Sequence, residues 1–183
     1  MNINGNYYHQ MKKVLIVSST RNTNYDLSSI IKEYYDKKEK VQCDIISLED
    51  LDLPLYTPTL EGSFKEDNSF PSNIEKIKQR LCSSDALIWC SPEYNGGISP
   101  ILTNMIAWVS RGTENWKEGF INKHSLICTS SGGNGKNFVK GFKLQLSYLG
   151  SLVLDRSIIR TKKSNINKEE FKLVLEDFYK NIS

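Results

Sequence analysis

Short apolar runs rich in β-formers alternate along this chain with longer segments whose apolar residues recur every three or four positions. The run Lys13–Ser18 predicts a buried strand. A polar loop, Ser19–Asn24, leads into a helix that carries Leu27, Ile30, Ile31, Tyr34 and Tyr35 on one face. Val41–Leu48 alternates in part, as a strand nearer a sheet edge does. A helix is predicted from Ser72 to about Ser83, a strand over Ala86–Cys90, and a helix from Pro100 to about Arg111. A strand over Ser125–Thr129, a helix from Phe138 to about Leu149, a strand near Leu152–Ile159 and a last helix from about Lys168 to Asn181 complete the pattern. Glu49–Ser72 holds Pro54, Pro58 and Pro71 without sustained periodicity, which predicts a long connection of the kind that is usually functional or mobile.

Five strand–helix units whose strands are apolar on both faces predict an α/β protein, with parallel strands covered by helices on both sides. The 183 residues fit one domain with a full-sized core. Residues 12–183 are expected to form that domain, and residues 1–11 a flexible N-terminal extension. Met11-Lys12-Lys13 stands directly before the first strand as a candidate true start. An arm that docks on a neighbouring subunit is the other reading of the leader, which lacks the basic-then-apolar order of a signal peptide.

Composition narrows the classes. Against 24 basic residues stand 21 acidic ones, interspersed, for a net charge of +3, and nucleic-acid binding calls for a clustered basic face. No apolar run approaches the roughly 20 residues of a membrane span, so no membrane role is expected. Cys43, Cys82, Cys90 and Cys128 are far apart, and only His9 and His124 could assist them. That spacing predicts free thiols, no metal site and a reducing, cytoplasmic compartment.

The chemistry concentrates in three loops at strand ends, and ligands of open α/β sheets bind at the carboxyl ends of strands. Ser18-Ser19-Thr20-Arg21-Asn22-Thr23-Asn24 sets hydroxyls, amides and an arginine before a helix N-terminus, which suits a phosphate. Capping by Thr23 or Asn24 is the alternative. Neither the dinucleotide fingerprint G-x-G-x-x-G nor the P-loop is present there, which favours a phosphate monoester over a dinucleotide or a nucleoside triphosphate. Ser91-Pro92-Glu93-Tyr94-Asn95-Gly96-Gly97-Ile98-Ser99-Pro100 offers backbone amides and a tyrosine to a flat aromatic ligand; an ordinary turn before a helix is the alternative. Ser130-Ser131-Gly132-Gly133-Asn134-Gly135 is small and rich in donors, and alone is also readable as a plain turn.

Together these motifs resemble the NADPH-dependent FMN reductase family of flavodoxin-like proteins, which includes quinone, azo-dye and chromate reductases. The resemblance rests on Ser18-Ser19-Thr20-Arg21, Pro92-Glu93-Tyr94-Asn95-Gly96 and Ser130-Ser131-Gly132-Gly133, and spans about residues 12–160. Leu53-Pro54-Leu55-Tyr56 and Trp108-Val109-Ser110-Arg111 resemble further family segments. It implies a flavodoxin-like three-layer sandwich with a five-stranded parallel sheet in the order 2-1-3-4-5. It also implies FMN as cofactor, with its phosphate held by Ser19, Arg21, Thr23 and Asn24. Pro92, Glu93, Tyr94, Asn95 and Gly96 would then face the ribityl chain and ring, and Ser130, Ser131, Gly132 and Gly133 the ring's other side. Two departures stand out: Ser18 replaces a glycine of the family's first loop, and Ala107 an aspartate before Trp108.

The activity so implied is hydride transfer from NADPH or NADH, through flavin N5, to a quinone, free flavin or similar small acceptor, in a homodimer or homotetramer. No catalytic side chain is required, and no convincing His–carboxylate pair is present. The rival readings are a flavodoxin-like electron carrier or flavin-binding module without NAD(P)H turnover, and a flavin-free hydrolase or phosphate-binding protein. A carrier is usually strongly acidic, which this chain is not; a hydrolase needs a nucleophile or metal ligands.

Overall fold

The computed structural model describes residues 11–162 and 167–183. Apart from Met11, the expected N-terminal extension lies outside the described residues. Strands β1 (Lys12–Ser18), β2 (Val41–Ser47), β3 (Ala86–Cys90) and β6 (His124–Ser131) are parallel neighbours in the order β2-β1-β3-β6. Two short strands, β7 (Leu152–Val153) and β8 (Ile158–Thr161), pair with successive stretches of the free edge of β6. The expected order 2-1-3-4-5 is therefore present, with the fifth strand in two pieces. Asp155 and Arg156 in the gap are exposed, and Asp155 pairs with Lys143 at 2.7 Å.

Alternation along each central strand builds two cores. Leu15, Val17, Leu87, Trp89 and Ile127 point to one face, where they meet α3 (Ser72–Cys82), α4 (Pro100–Gly112) and α5 (Lys136–Tyr148). Val14, Ile16, Ala86, Ile88, Cys90, Leu126 and Cys128 point to the other, against α1 (Thr23–Tyr35) and α6 (Lys168–Ile182). A strand buried on both faces must be apolar at every position, which is why β1 and β3 read as continuous apolar runs. On α1 the buried stripe is Asn24, Leu27, Ser28, Ile31 and Tyr35, while Ile30 is exposed. All four cysteines are free thiols, and three are buried.

The long connection is more structured than its sequence suggests. It contains a 3-10 turn (Leu48–Asp50) and helix α2 (Pro58–Glu66). Thr57 Oγ1 accepts the Leu60 N–H at 3.1 Å, and Pro58 suits the first helical turn. No residue of α2 is buried, so there was no apolar period to find. The segment is held instead by aromatic contacts: Tyr56 and Phe64 lie 5.1 and 5.6 Å from the Trp108 ring. Trp108 Nε1 also donates to the Pro54 carbonyl at 2.7 Å, which seats this part of α4 without help from position 107.

Candidate cofactor-binding site

The three loops leave the sheet side by side. Ser18, Cys90 and Cys128 are in register, the Ser19 N–H donates to the Cys90 carbonyl at 2.8 Å, and the Ser91 N–H donates to the Cys128 carbonyl at 3.1 Å. Each loop therefore starts at the same level, and the predicted residues gather along one edge.

In the first loop, Ser18 is fully buried and donates its hydroxyl to the Thr20 carbonyl at 2.8 Å. The side chain that replaces a glycine thus closes the turn. Ser19 is also fully buried, and its Oγ has no hydrogen-bond partner. Buried hydroxyls are nearly always paired, so an orphan at this place marks an unmet polar demand. The N-cap residue of α1 is Asn22, whose side chain makes no capping bond; neither Thr23 nor Asn24 caps the helix. The first N–H groups of α1 are left for an outside acceptor. Thr23 is exposed beside them. Asn24 turns inward as a strut: its Nδ2 donates to the Ser130 carbonyl at 3.0 Å, and its Oδ1 accepts the Ser130 N–H at 2.8 Å. Arg21 leans toward β2, where its Nε pairs with Asp50 and its N–H donates to Glu49 at 2.5 Å.

The second loop is a small hairpin, β4 (Glu93–Tyr94) against β5 (Gly97–Ile98). Asn95 and Gly96 make its turn with φ of 51° and 72°, the left-handed pair that an Asn-Gly turn provides. Pro92 is buried beneath it, and Ser91 and Ser99 close its base through hydroxyls 2.8 Å apart. Glu93 caps α5: its Oε2 accepts the N–H groups of Asn137 at 2.9 Å and Phe138 at 3.0 Å. The N-cap residue of α5 is Gly135, which has no side chain for that purpose. Tyr94 is half exposed beside the hairpin tip.

The third loop begins later than predicted. Ser130 and Ser131 are the last residues of β6, because β8 extends the pairing as far as Arg160 and Thr161. Ser131 Oγ reaches the Glu93 carbonyl at 3.5 Å. Gly132 and Gly133 are exposed; a side chain at Gly132 would enter open space, and one at Gly133 would stand 3.7 Å from the Glu93 carboxylate. Gly135 is different. Its φ is +68°, and a Cβ there would lie 2.7 Å from the Thr129 methyl, so glycine is required. On the far side of this loop a cleft of about 1150 Å³ opens between β8 and α6, with Lys136, Arg156, Ile159 and Phe171 among its walls.

Three residues escaped the sequence reading. Glu49 and Asp50 sit in the turn after β2, inside the connection that carried no pattern. Arg160 lies at the end of β8; its Nε donates to Ser130 Oγ at 3.0 Å and a terminal nitrogen donates to the Thr23 carbonyl. The only signal for it was a basic residue ending an apolar strand.

A doubly wound parallel sheet whose ligand loops follow its first, third and fourth strands is the flavodoxin-like architecture. An archaeal flavodoxin superposes with a TM-score of 0.61 at 15% identity, over 94% of this chain and 99% of its own. The flavoenzyme NAD(P)H:(acceptor) oxidoreductase FerB of Paracoccus denitrificans superposes with a TM-score of 0.72 at 17% identity, over 94% and 95%. At such identities the likeness concerns the fold. Sequence supplies the rest: the chain belongs to the NADPH-dependent FMN reductase family, whose model matches residues 11–164. It is 34% identical over 83 residues to probable NADPH:quinone oxidoreductase 1 of Oryza sativa subsp. japonica, an alignment covering 45% of this chain and 39% of that protein. It is 32% identical over 81 residues to an NAD(P)H-dependent FMN reductase of Pseudomonas aeruginosa, covering 44% and 40%. The matched stretch thus spans about two fifths of the length of these curated relatives.

Proposed function

We propose that this protein is an FMN-dependent oxidoreductase that carries hydride from NADPH or NADH to a quinone, free flavin or similar small acceptor. One observation carries the reading: the buried, partnerless Ser19 hydroxyl stands beside the uncapped first turn of α1, at the sheet edge where all three loops meet. That is a cradle for an anion with a group attached. Family membership says which group fits, FMN, and the names of the relatives say which reaction to test.

In this reading Ser19, Thr23 and the α1 amides hold the phosphate, Asn24 fixes the distance between the first and third loops, and Arg21 fastens the first loop to the turn after β2. Pro92, Glu93, Tyr94, Asn95 and Gly96 form one wall of the ring site. The hairpin is kept rigid by its Asn-Gly turn and by the Glu93 cap on α5. Ser131, Gly132 and Gly133 form the opposite rim, where the two glycines add no side chain, and Ser130, tied to Asn24 of the first loop, stands between that rim and the phosphate. FMN supplies the hydride-accepting chemistry when bound; the chain contributes position and oriented donors. We place the protein in the cytoplasm, consistent with four free thiols, and no helix among the described residues is long and apolar enough to cross a membrane. Residues 12–183 act as a single cofactor-binding domain and assemble as a homodimer or homotetramer. Exposed Trp116, Tyr148 and Ile121, around the ends of α4 and α5, support the assembly.

The test is direct. Purified protein should bind FMN with quenched fluorescence and oxidise NADPH or NADH when a quinone is supplied. Flavin binding without NAD(P)H oxidation would move the protein to the electron carriers; no flavin binding would end the reading.

A further inference from the structure

Two arginines flank the first turn of α1, and they are not equivalent. Arg21 belongs to the loop itself, yet its guanidinium is paired with Asp50 and its N–H with Glu49. Asp50 offsets the guanidinium's charge, while Glu49 holds the backbone N–H and fixes the loop against the turn after β2. A phosphate would have to compete with Asp50 for the guanidinium.

Arg160 arrives from the other side. It lies beside Ser130 in the β6–β8 register, bonds the Ser130 hydroxyl through Nε, and reaches the Thr23 carbonyl. Among the described residues it forms no ion pair with any carboxylate. Its charge is therefore unspent, at the junction of the first and third loops. A guanidinium has five N–H donors, and the two bonds to Ser130 and Thr23 leave donors over. Ser130 Oγ accepts from Arg160, so its own proton is free for another acceptor. An independent feature in the first loop asks for an outside hydrogen-bond partner: the Ser19 hydroxyl, fully buried and unpaired.

We infer that Arg160 is the cation of the phosphate cradle, acting directly and through the Ser130 hydroxyl, and that Arg21 serves mainly to anchor its loop. The inference rests on the flavin reading above. In this way β8, paired on β6, delivers positive charge to a site built by β1 and β6.

FMN and riboflavin differ only in the phosphate, so their comparison isolates the claim. Binding of each is measured by flavin fluorescence for the wild type, Arg160→Met, Arg160→Gln, Ser130→Ala and Arg21→Met. Stabilisation of the flavin-free protein by inorganic phosphate is followed by thermal melting. Arg160→Met is expected to weaken FMN at least tenfold while riboflavin changes less than twofold, and to abolish the melting shift given by phosphate. Ser130→Ala should show the same split at smaller size, and Arg21→Met should cost FMN less than threefold. Should Arg160→Met not fold, Arg160→Gln, which keeps an amide donor and removes the charge, carries the same expectation. Equal losses for both flavins would reduce Arg160 to a brace of β8, and a larger FMN loss in Arg21→Met would return the role to Arg21; either overturns the inference. A wild type that binds FMN but shows no such split overturns the inference alone. One that binds neither flavin overturns the flavin reading as well.

Discussion

The two ends of the sheet are built on opposite terms. At the amino end the polar groups close on one another. The Asp85 carboxylate accepts the Lys13 N–H at 2.7 Å, Lys38 bonds Glu176 at 2.5 Å, and the largely buried Lys123 ammonium bonds the Leu81 and Cys82 carbonyls at the end of α3. At the carboxyl end, Ser19, Ser47 and Thr129 keep buried side-chain oxygens without partners; the other such atom among the described residues is Gln145 Oε1, near the C-terminal end of α5. An unmet buried hydroxyl costs about 1–3 kcal/mol. A fold under selection for stability alone would have satisfied these groups or replaced them. Gln145 apart, the amino end is settled by the chain itself, whereas three unmet oxygens gather at the carboxyl end.

The sharpest way to break this comparison is Ser19→Ala. If the orphan hydroxyl exists for a phosphate, its loss removes a charge-assisted hydrogen bond of roughly 1.5–3 kcal/mol, or about ten- to a hundredfold in FMN affinity. The flavin-free protein should melt no lower than the wild type, because no internal bond is lost. Lowered melting with unchanged FMN affinity would make Ser19 an ordinary packing residue. Fluorescence titration and calorimetry on one preparation decide between the two.

Lys123→Met makes the converse experiment at the amino end. Truncation removes the ammonium from the Cys82 carbonyl, leaves the Leu81 carbonyl to backbone donors such as the Ser84 N–H at 3.3 Å, and should destabilise the fold by roughly 1–3 kcal/mol. FMN affinity at the opposite edge should hold within about twofold. Burial pushes the Lys123 pKa below its ordinary 10.5. The unfolded chain then binds more protons between the two values, so stability contributed by this group rises with pH through that window. The difference in stability between wild type and Lys123→Met, measured by urea titration, should therefore grow as pH rises toward 10.5.

Glu93→Ala tests the hairpin that joins both themes. Loss of the α5 cap should cost about 1 kcal/mol, since the Asn137 and Phe138 N–H groups lose their acceptor. Glu93→Gln keeps an oxygen there and should recover most of the stability. If Glu93 were an acid in the reaction, Gln would restore the melting temperature and leave turnover abolished. The expected result is that both recover together.

What the sequence revealed, and what it hid, follows the same division. The strands β1 and β3 and the three loops were legible because burial on both faces and loop chemistry leave strong local signals. Ser19, Tyr94 and Gly132 could be placed at one edge before any coordinates. Roles were harder than places. Asn24, expected at the phosphate, also braces the first loop against Ser130, and Glu93, expected along the ribityl chain and ring, also caps α5. Those roles depend on partners 106 and 44 residues away, which no local pattern encodes. Helix α2 was hidden for another reason: it buries nothing of its own and hangs from the aromatic cluster around Trp108. Arg160 was invisible because its meaning comes from the register of β8 on β6.

The smallest effect separates the two ends by pH. Hydrogen bonds from Lys38 and Tyr34 hold the Glu176 carboxyl below its ordinary 4.5, and burial, followed by the hydrogen bond to Glu176, pushes Tyr34 up to about 12. A carboxyl with a lowered folded pKa contributes stability that is fully present above 4.5 and is lost as pH falls through the folded value. Glu176→Gln should therefore shallow the acid limb of the stability curve below pH 4.5, leaving its shape near pH 6 untouched. FMN affinity follows a different group. A phosphate monoester takes up its second proton at about pH 6, so binding to a cationic cradle should weaken as pH falls through that region. Glu176→Gln should not alter that fall, while Arg160→Met should flatten it. An acid transition shared by stability and FMN affinity, and shifted together by Glu176→Gln, would show that the two ends are one cooperative unit and that the division drawn between them is wrong.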